Sequence, residues 1–405
     1  MATHLTQGPD AGRTWPAERE TTTDPVTGAT VHRLTTHPAG DWHLYFTEPA
    51  FYDDGDRLLL RSDRGDTRNL YSISLESGEL TQLTDLPHDI GGVTRFPNHP
   101  VALFWCDQHL VSLDLETRAL ETHYTLPAGY NGGHLGGTAD GTRAVAAISE
   151  QLDLDEEKDP EDREAWMAKR LEAKPHSQVI SVPIDEPERE PTVHVDTDRW
   201  LTHVNPSPAP EHSELITYCE EGPWEDVDRI WGLNLETDET WQIRPTAEDE
   251  AVGHEYWLDD GEYVGYHGWE GSREEPTAFF GQVRYDGTDR REWPAPDIYT
   301  HFHSRTRDLV VGDGSHRGPQ ALLLWQWDDE TETYDDPRAL ATHDWAGDDD
   351  VHPHSRMSPD GSRVAFDSSQ GGTDSDVYLV EIPDNRSELP PLEEIPSESD
   401  RRRSR

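Results

Sequence analysis

Short runs of apolar residues alternating with turn-forming clusters recur along most of the chain, and few segments carry a 3.6-residue period. The clearest unit is Ser358-Pro359-Asp360-Gly361-Ser362-Arg363-Val364-Ala365-Phe366-Asp367, followed after a short loop by Asp376-Val377-Tyr378-Leu379-Val380-Glu381-Ile382. It reads as turn, strand, loop, strand. Comparable starts occur at Tyr52-Asp53-Asp54-Gly55, Pro97-Asn98-His99-Pro100, Thr138-Ala139-Asp140-Gly141, Pro208-Ala209-Pro210-Glu211, Leu258-Asp259-Asp260-Gly261 and Ser304-Arg305-Thr306-Arg307, which makes seven units in all.

A strand-only repeat of about 40 to 50 residues is the pattern of propeller blades, small sheets that bury their faces against one another. The expected fold is therefore all-β, a seven-bladed β-propeller occupying residues 27–383 as a single domain. An isolated strand near residues 30–34 has no local partner and is expected to complete the last blade, which would remove an exposed edge. Residues 1–26 read as a polar leader. Residues 384–405, rich in Pro, Ser and Glu and ending in Arg401-Arg402-Arg403-Ser404-Arg405, read as a disordered tail. Within the third unit, residues 151–176 are rich in helix formers, with Ala165, Met167, Ala168 and Leu171 near helical spacing; this predicts a short helical insertion in the third blade.

Composition narrows the function. With 34 basic and 83 acidic residues the formal charge is −49, spread over the chain, so a nucleic-acid partner is not expected. A diffuse acidic excess with ordinary aromatic content fits a folded, halophilic surface, for which high salt screens the self-repulsion. Disorder, the competing explanation, does not account for the regular recurrence of Trp, Tyr and β-branched residues. Cys106 and Cys219 each lie in an apolar strand-like run and are expected as buried free thiols, so a cytoplasmic location is the default. There is no secretory-type apolar segment at the start and no run of eighteen apolar residues, so no membrane association is expected.

Histidine carries the candidate chemistry. His352 and His354 stand two residues apart beside the acidic run Asp348-Asp349-Asp350, and His301 and His303 repeat that spacing. On an extended strand residues i and i+2 share a face, so each pair could grip one cation. His43, His134, His203, His254, His301 and His303, and His352 and His354 all fall shortly before a unit's turn, where the innermost strand of a blade is expected. Scattered surface histidines would not hold that phase. Histidines from two blades plus one carboxylate or amide suit Mn²⁺ or a similar borderline divalent cation better than Ca²⁺, with Zn²⁺ left open. Arg229, within Asp226-Val227-Asp228-Arg229-Ile230-Trp231, is either a carboxylate clamp or a structural ion pair. Neither a Gly-x-Ser-x-Gly elbow nor a phosphate-binding P-loop occurs.

The blocks Tyr218-Cys219-Glu220-Glu221-Gly222-Pro223, Asp228-Arg229-Ile230-Trp231, Gly253-His254-Glu255-Tyr256-Trp257, Thr300-His301 with Val311-Gly312-Asp313-Gly314-Ser315, and Val351-His352-Pro353-His354 appear in the order found in oligogalacturonate lyases. The chain resembles that family, specifically over residues 200–383 and more loosely before. The resemblance implies a seven-bladed propeller holding Mn²⁺, with His301, His352 and His354 as ligands. A family glutamine ligand falls on Asp349 here, a departure that changes the charge at the metal, and Asp350 is an alternative. The resemblance further implies that His254 is the base and that Arg229 acts near the scissile residue. His203 matches a family histidine, while His43, His134, His303 and Trp231 are expected as substrate contacts. The implied activity is metal-dependent β-elimination of short pectin-derived oligogalacturonates, dimers in particular, giving 4,5-unsaturated products. Two alternatives remain: a non-catalytic propeller binding peptides or proteins, and a lyase for another uronate-bearing oligosaccharide.

Overall fold

The structure, a computed structural model, describes residues 5–154, 163–186, 188–315, 320–344, 352–372 and 374–395. The chain forms two compact units. One comprises Met1–Pro9, Leu86–Ser272 and Gln282–Arg291; the other comprises Asp10–Asp85, Arg273–Gly281 and Glu292–Arg405.

Seven antiparallel sheets are present among the described residues, and in each most strands lie beside their sequence neighbours. The first unit contains three complete sheets, running from Ile90–Arg95 to Leu120–Thr125, from Tyr130–Gly137 to Thr192–Thr197, and from Leu201–Pro206 to Thr240–Arg244. It also contains the paired strands Glu250–Trp257 and Tyr263–Glu270. The third sheet of the chain is interrupted between Arg143–Glu150 and Ser177–Pro183 by the helix Arg163–Ala173.

The second unit contains three complete sheets. One joins Asp41–His43 to the strands Arg57–Ser62, Asn69–Ser74 and Leu80–Gln82, with Thr14–Trp15 added outside them. A second is built on Phe302–Ser304, Leu309–Gly312 and Ala321–Asp328. The third combines Glu20–Thr23 and Thr30–Arg33 with Asp376–Glu381, Arg363–Ser368 and Arg356–Met357. In this sheet Val31 pairs with Val380 and His32 with Leu379, so the lone strand anticipated near the N-terminus does complete the last sheet. Two short strands also occur within the stretch read as a leader.

The turns form for local reasons. In Ser358-Pro359-Asp360-Gly361, Asp360 accepts the Ser358 hydroxyl at 2.5 Å and the Ser362 N–H at 3.1 Å, while Gly361 takes φ 69°. Asp140 and Gly141 repeat this arrangement. An aspartate that binds the backbone two residues ahead, followed by a glycine free to adopt positive φ, ends one strand and starts the next.

Central strands are buried on both faces: Ala321, Leu322, Leu323 and Leu324 are all at most 3% exposed. Each such leucine contributes roughly 1.5–3 kcal/mol of burial free energy. The chain beyond residue 383 differs from expectation. Two 3₁₀ turns, Arg386–Glu388 and Leu392–Glu394, carry Leu389 and Ile395 into the core, and Ala339 N–H donates to the Pro390 carbonyl. Apolar residues spaced through a Pro- and Glu-rich stretch were enough to anchor it. Residues 396–405 lie outside the described residues.

Candidate metal centre and candidate base

In the second unit His301, His352 and His354 bring ligand nitrogens within 4.8 Å of one another, the one such group among the described residues. His301 immediately precedes the strand Phe302–Ser304. Asp313, fully buried, holds it twice: Oδ2 accepts the ring Nδ1–H at 2.7 Å and Oδ1 accepts the His301 backbone N–H at 2.8 Å. This fixes the tautomer and leaves Nε2 as the ligand atom. The Tyr45 ring meets His301 and His354 edge-on, at 5.7 Å and 4.9 Å between centroids, and Phe46 lies 4.8 Å from His301.

His352 and His354 do not converge by strand alternation. Their segment is not a strand, and His354 adopts φ 46°, a left-handed conformation costly for any residue but glycine. That turn brings the two rings to 5.4 Å. Burial, then the neighbouring imidazoles of His301 and His352, push the His354 pKa well below its ordinary value, so the ring is neutral. Three converging imidazoles, one of them oriented by a carboxylate, are the donor set that a borderline divalent cation takes.

Two histidines expected at substrate face the interior. His43 is 1% exposed; burial lowers its pKa to about 4, and its neutral ring donates Nε2–H to the Pro353 carbonyl at 3.1 Å. It braces the peptide between two of the three clustered histidines. His303, 4% exposed, accepts the Met357 N–H at Nδ1 at 3.3 Å, tying two inner strands together. Burial pushes its pKa well below the ordinary value, and it is not one of the clustered histidines. Asp349 and Asp350, the candidates for the fourth ligand, lie outside the described residues.

The first unit displays its histidines differently. The innermost strands of three sheets each carry a β-bulge: between Gly132 and Leu135, Leu201 and Val204, and Gly253 and Tyr256. His134, His203 and His254 sit in those bulges, where the added residue re-aims the side chain. The His134 and His203 rings stack at 4.1 Å. His203 Nε2 lies 3.8 Å from Glu221 Oε2, which also accepts the Thr202 hydroxyl at 3.0 Å.

Glu221 in turn accepts a hydrogen bond from the Arg229 Nη1–H. Arg229, 2% exposed, has its Nε 3.8 Å from Glu255 and its guanidinium 5.1 Å from the Trp224 ring centroid. Burial pushes Glu255 up to about 7, against the pull of Arg229. Gly253 is required here, because a Cβ would stand 2.7 Å from Arg229 Cδ. Trp231 stands two strands away from the His203 strand; its Nε1–H donates to the Asp228 carbonyl at 2.7 Å and its ring stacks on Tyr218. That anchoring accounts for it without a ligand. His254 itself is half-buried with φ 52°, its Nδ1 3.1 Å from His267 Nε2 and its ring edge-on to Trp224 at 4.7 Å.

Sequence reasoning missed Asp313, Glu221, Glu255 and His267 as partners. The first three lay inside quoted blocks, but a carboxylate that serves an imidazole or a guanidinium has no spacing rule of its own. Cys106 and Cys219 are buried free thiols, as expected. No helix among the described residues is long and apolar enough to cross a membrane.

Against known proteins, the family model described as oligogalacturonate lyase matches residues 10–321. The chain is 27% identical to an oligogalacturonide lyase of Pectobacterium atrosepticum over 92% of this chain and 98% of that protein. It is 25% identical to an oligogalacturonate lyase of Dickeya dadantii, over 89% and 95%. Among solved structures, an oligogalacturonate lyase in complex with manganese superimposes with TM-score 0.80 at 26% identity, covering 93% of this chain and 99% of that one. The fold is thus a seven-bladed β-propeller.

Proposed function

Since the chain belongs to the oligogalacturonate lyase family, we propose that it cleaves short pectin-derived oligogalacturonates, including digalacturonate, by metal-dependent β-elimination. The observation that carries this reading is the convergence of His301, His352 and His354, a donor set that fits Mn²⁺, the ion bound in the related solved structure.

The C5 proton of a uronate is weakly acidic while the adjacent carboxylate keeps its charge. The three imidazoles would hold Mn²⁺, which would supply the Lewis acidity that offsets that charge. His254 takes the C5 proton on a ring nitrogen; the C5–H electrons form the C4=C5 bond, and the C4–O bond breaks with its electrons on oxygen. Arg229, paired with Glu221, stabilises the negative charge developing on the substrate. His203 and His134, half-buried on neighbouring bulges, contact the sugar.

The same reading assigns a cytoplasmic setting and adaptation to high salt. With a formal charge of −49, the protein needs counter-ions to admit an anionic sugar. The deciding experiment mixes protein, Mn²⁺, high salt and digalacturonate and follows the ultraviolet band of unsaturated uronates. Growth of the band, its loss on chelation and its return with Mn²⁺ are expected. No band with digalacturonate, but one with another uronate oligomer, reassigns the substrate; turnover after exhaustive metal removal refutes the metal mechanism.

A further inference from the structure

The pairing of Glu250–Trp257 with Tyr263–Glu270 places Gly253 opposite His267, then shifts register so that His254 and Glu255 together span the place of one residue before Tyr256 meets Gly265. With φ 52° at His254, this bulge turns its ring toward His267 on the neighbouring strand. His267 is 1% exposed, its Nε2 stands 3.1 Å from His254 Nδ1, and Trp224 packs on both rings, at 4.7 Å and 5.4 Å. The charged groups of this neighbourhood are Arg229, behind Gly253 and over Trp224, with Glu221 and Glu255 against it.

We propose that His267 is a positioning residue for the elimination, accepting the Nδ1–H of His254 on its own Nε2 and thereby holding His254 in the tautomer whose Nε2 is basic. The inference rests on the reading of His254 as the base. Two imidazoles at this separation share one hydrogen, so one nitrogen donates and the other accepts. Burial disfavours charge on His267, so half-buried His254 is the member that gains a proton; as an imidazolium it donates at both nitrogens, and His267 Nε2 must then accept. When His254 Nε2 takes the C5 proton, the imidazolium keeps its Nδ1–H on His267. The hydrogen bond strengthens and no proton passes to His267. A charge on both rings would put like charges about 3 Å apart, so His267 stays the acceptor while His254 is the imidazolium.

Glutamine and asparagine separate this role from simple filling of space. The Gln side-chain oxygen reaches the place of imidazole Nε2, whereas that of Asn stops near Nδ1. In His267→Gln, kcat is expected within a few-fold of the parent. In His267→Asn it should fall about 10- to 100-fold, with KM and bound Mn²⁺ unchanged and the acid limb of the pH profile moved to lower pH as the imidazolium loses its acceptor. Ring ¹⁵N spectra of histidine-labelled protein, with the His254 signals identified by loss in His254→Ala, read the tautomer without turnover. Nδ1–H is expected in the parent and in His267→Gln, and a mixture with Nε2–H in His267→Asn. Equal kcat in the two variants, or an unchanged His254 tautomer in His267→Asn, overturns the proposal. Full turnover in His254→Ala instead removes the base assignment, an outcome that the His254→Ala kinetics show separately from the spectra.

Discussion

The histidine cluster of one unit and the arginine cluster of the other solve opposite electrostatic problems with the same tool, burial. His301, His352 and His354 must offer lone pairs, and burial helps by disfavouring the proton at His354. Arg229 must keep its charge where burial works against it, and Glu221 and Glu255 stand beside the guanidinium to offset that cost. The display differs as well. His134, His203 and His254 ride on bulges inside longer strands, whereas the clustered histidines stand at or before strands of three and two residues. A bulge re-aims one ring on a rigid ladder. Converging three rings needs backbone that leaves the ladder, and the left-handed His354 is the price of that convergence.

The largest break falls on the histidine cluster. His352→Ala removes one imidazole of three and should lose both bound Mn²⁺ and turnover, the latter by about 10³-fold or more, since a Lewis acid supplies several kcal/mol of transition-state stabilisation. Metal content and kcat measured on one preparation check it, and retained Mn²⁺ would deny His352 a ligand role. His254→Ala sharpens the contrast from the other side. It should keep the metal and lose turnover about 10²- to 10⁴-fold, the usual worth of a positioned base. Loss of metal in that variant would make His254 a ligand, and unchanged turnover would pass the role of base elsewhere.

Asp313→Asn is the milder form of the first break. It keeps the shape but leaves an acceptor that can no longer compensate the ring's charge at Nδ1, so Mn²⁺ affinity should fall about 10- to 100-fold, read by titration with the metal. The smallest effect belongs to Glu255→Gln and tests the opposite electrostatics. Burial raises Glu255 to about 7 in the folded protein, from an ordinary carboxyl value of 4.5 in the unfolded chain. Between those values the folded state holds a proton that the unfolded state has released, so the stability this group contributes is complete below 4.5 and is lost as pH rises through 7. Thermal unfolding should therefore show the parent falling behind Glu255→Gln as pH increases across that window. Parallel curves would place Glu255 as a permanent carboxylate on Arg229.

Much of the architecture could be read along the chain because each blade is a local object. The Asp-Gly turns, the alternation of apolar residues and the unpartnered strand near residue 30 are short-range signals, and the last of these paired as expected with Asp376–Glu381. The phase of the histidines was legible for the same reason: they recur on innermost strands or just before them. Sequence thus determined the repeat and the closing strand, and the resemblance to oligogalacturonate lyases singled out the three clustered imidazoles.

Which of the phased histidines face inward was decided only in three dimensions. His43 and His303 share the phase of His301, yet one braces the Pro353 carbonyl and the other accepts the Met357 N–H. The spacing of His352 and His354 suggested a strand, whereas their convergence comes from a positive φ at one of them. The partners that set protonation, Asp313 for His301, Glu221 and Glu255 for Arg229, and His267 for His254, lie 8 to 26 residues away or on another strand. Periodicity reports which face of an element is apolar. Hydrogen bonds and tautomers depend on distances between elements, which only the folded chain defines.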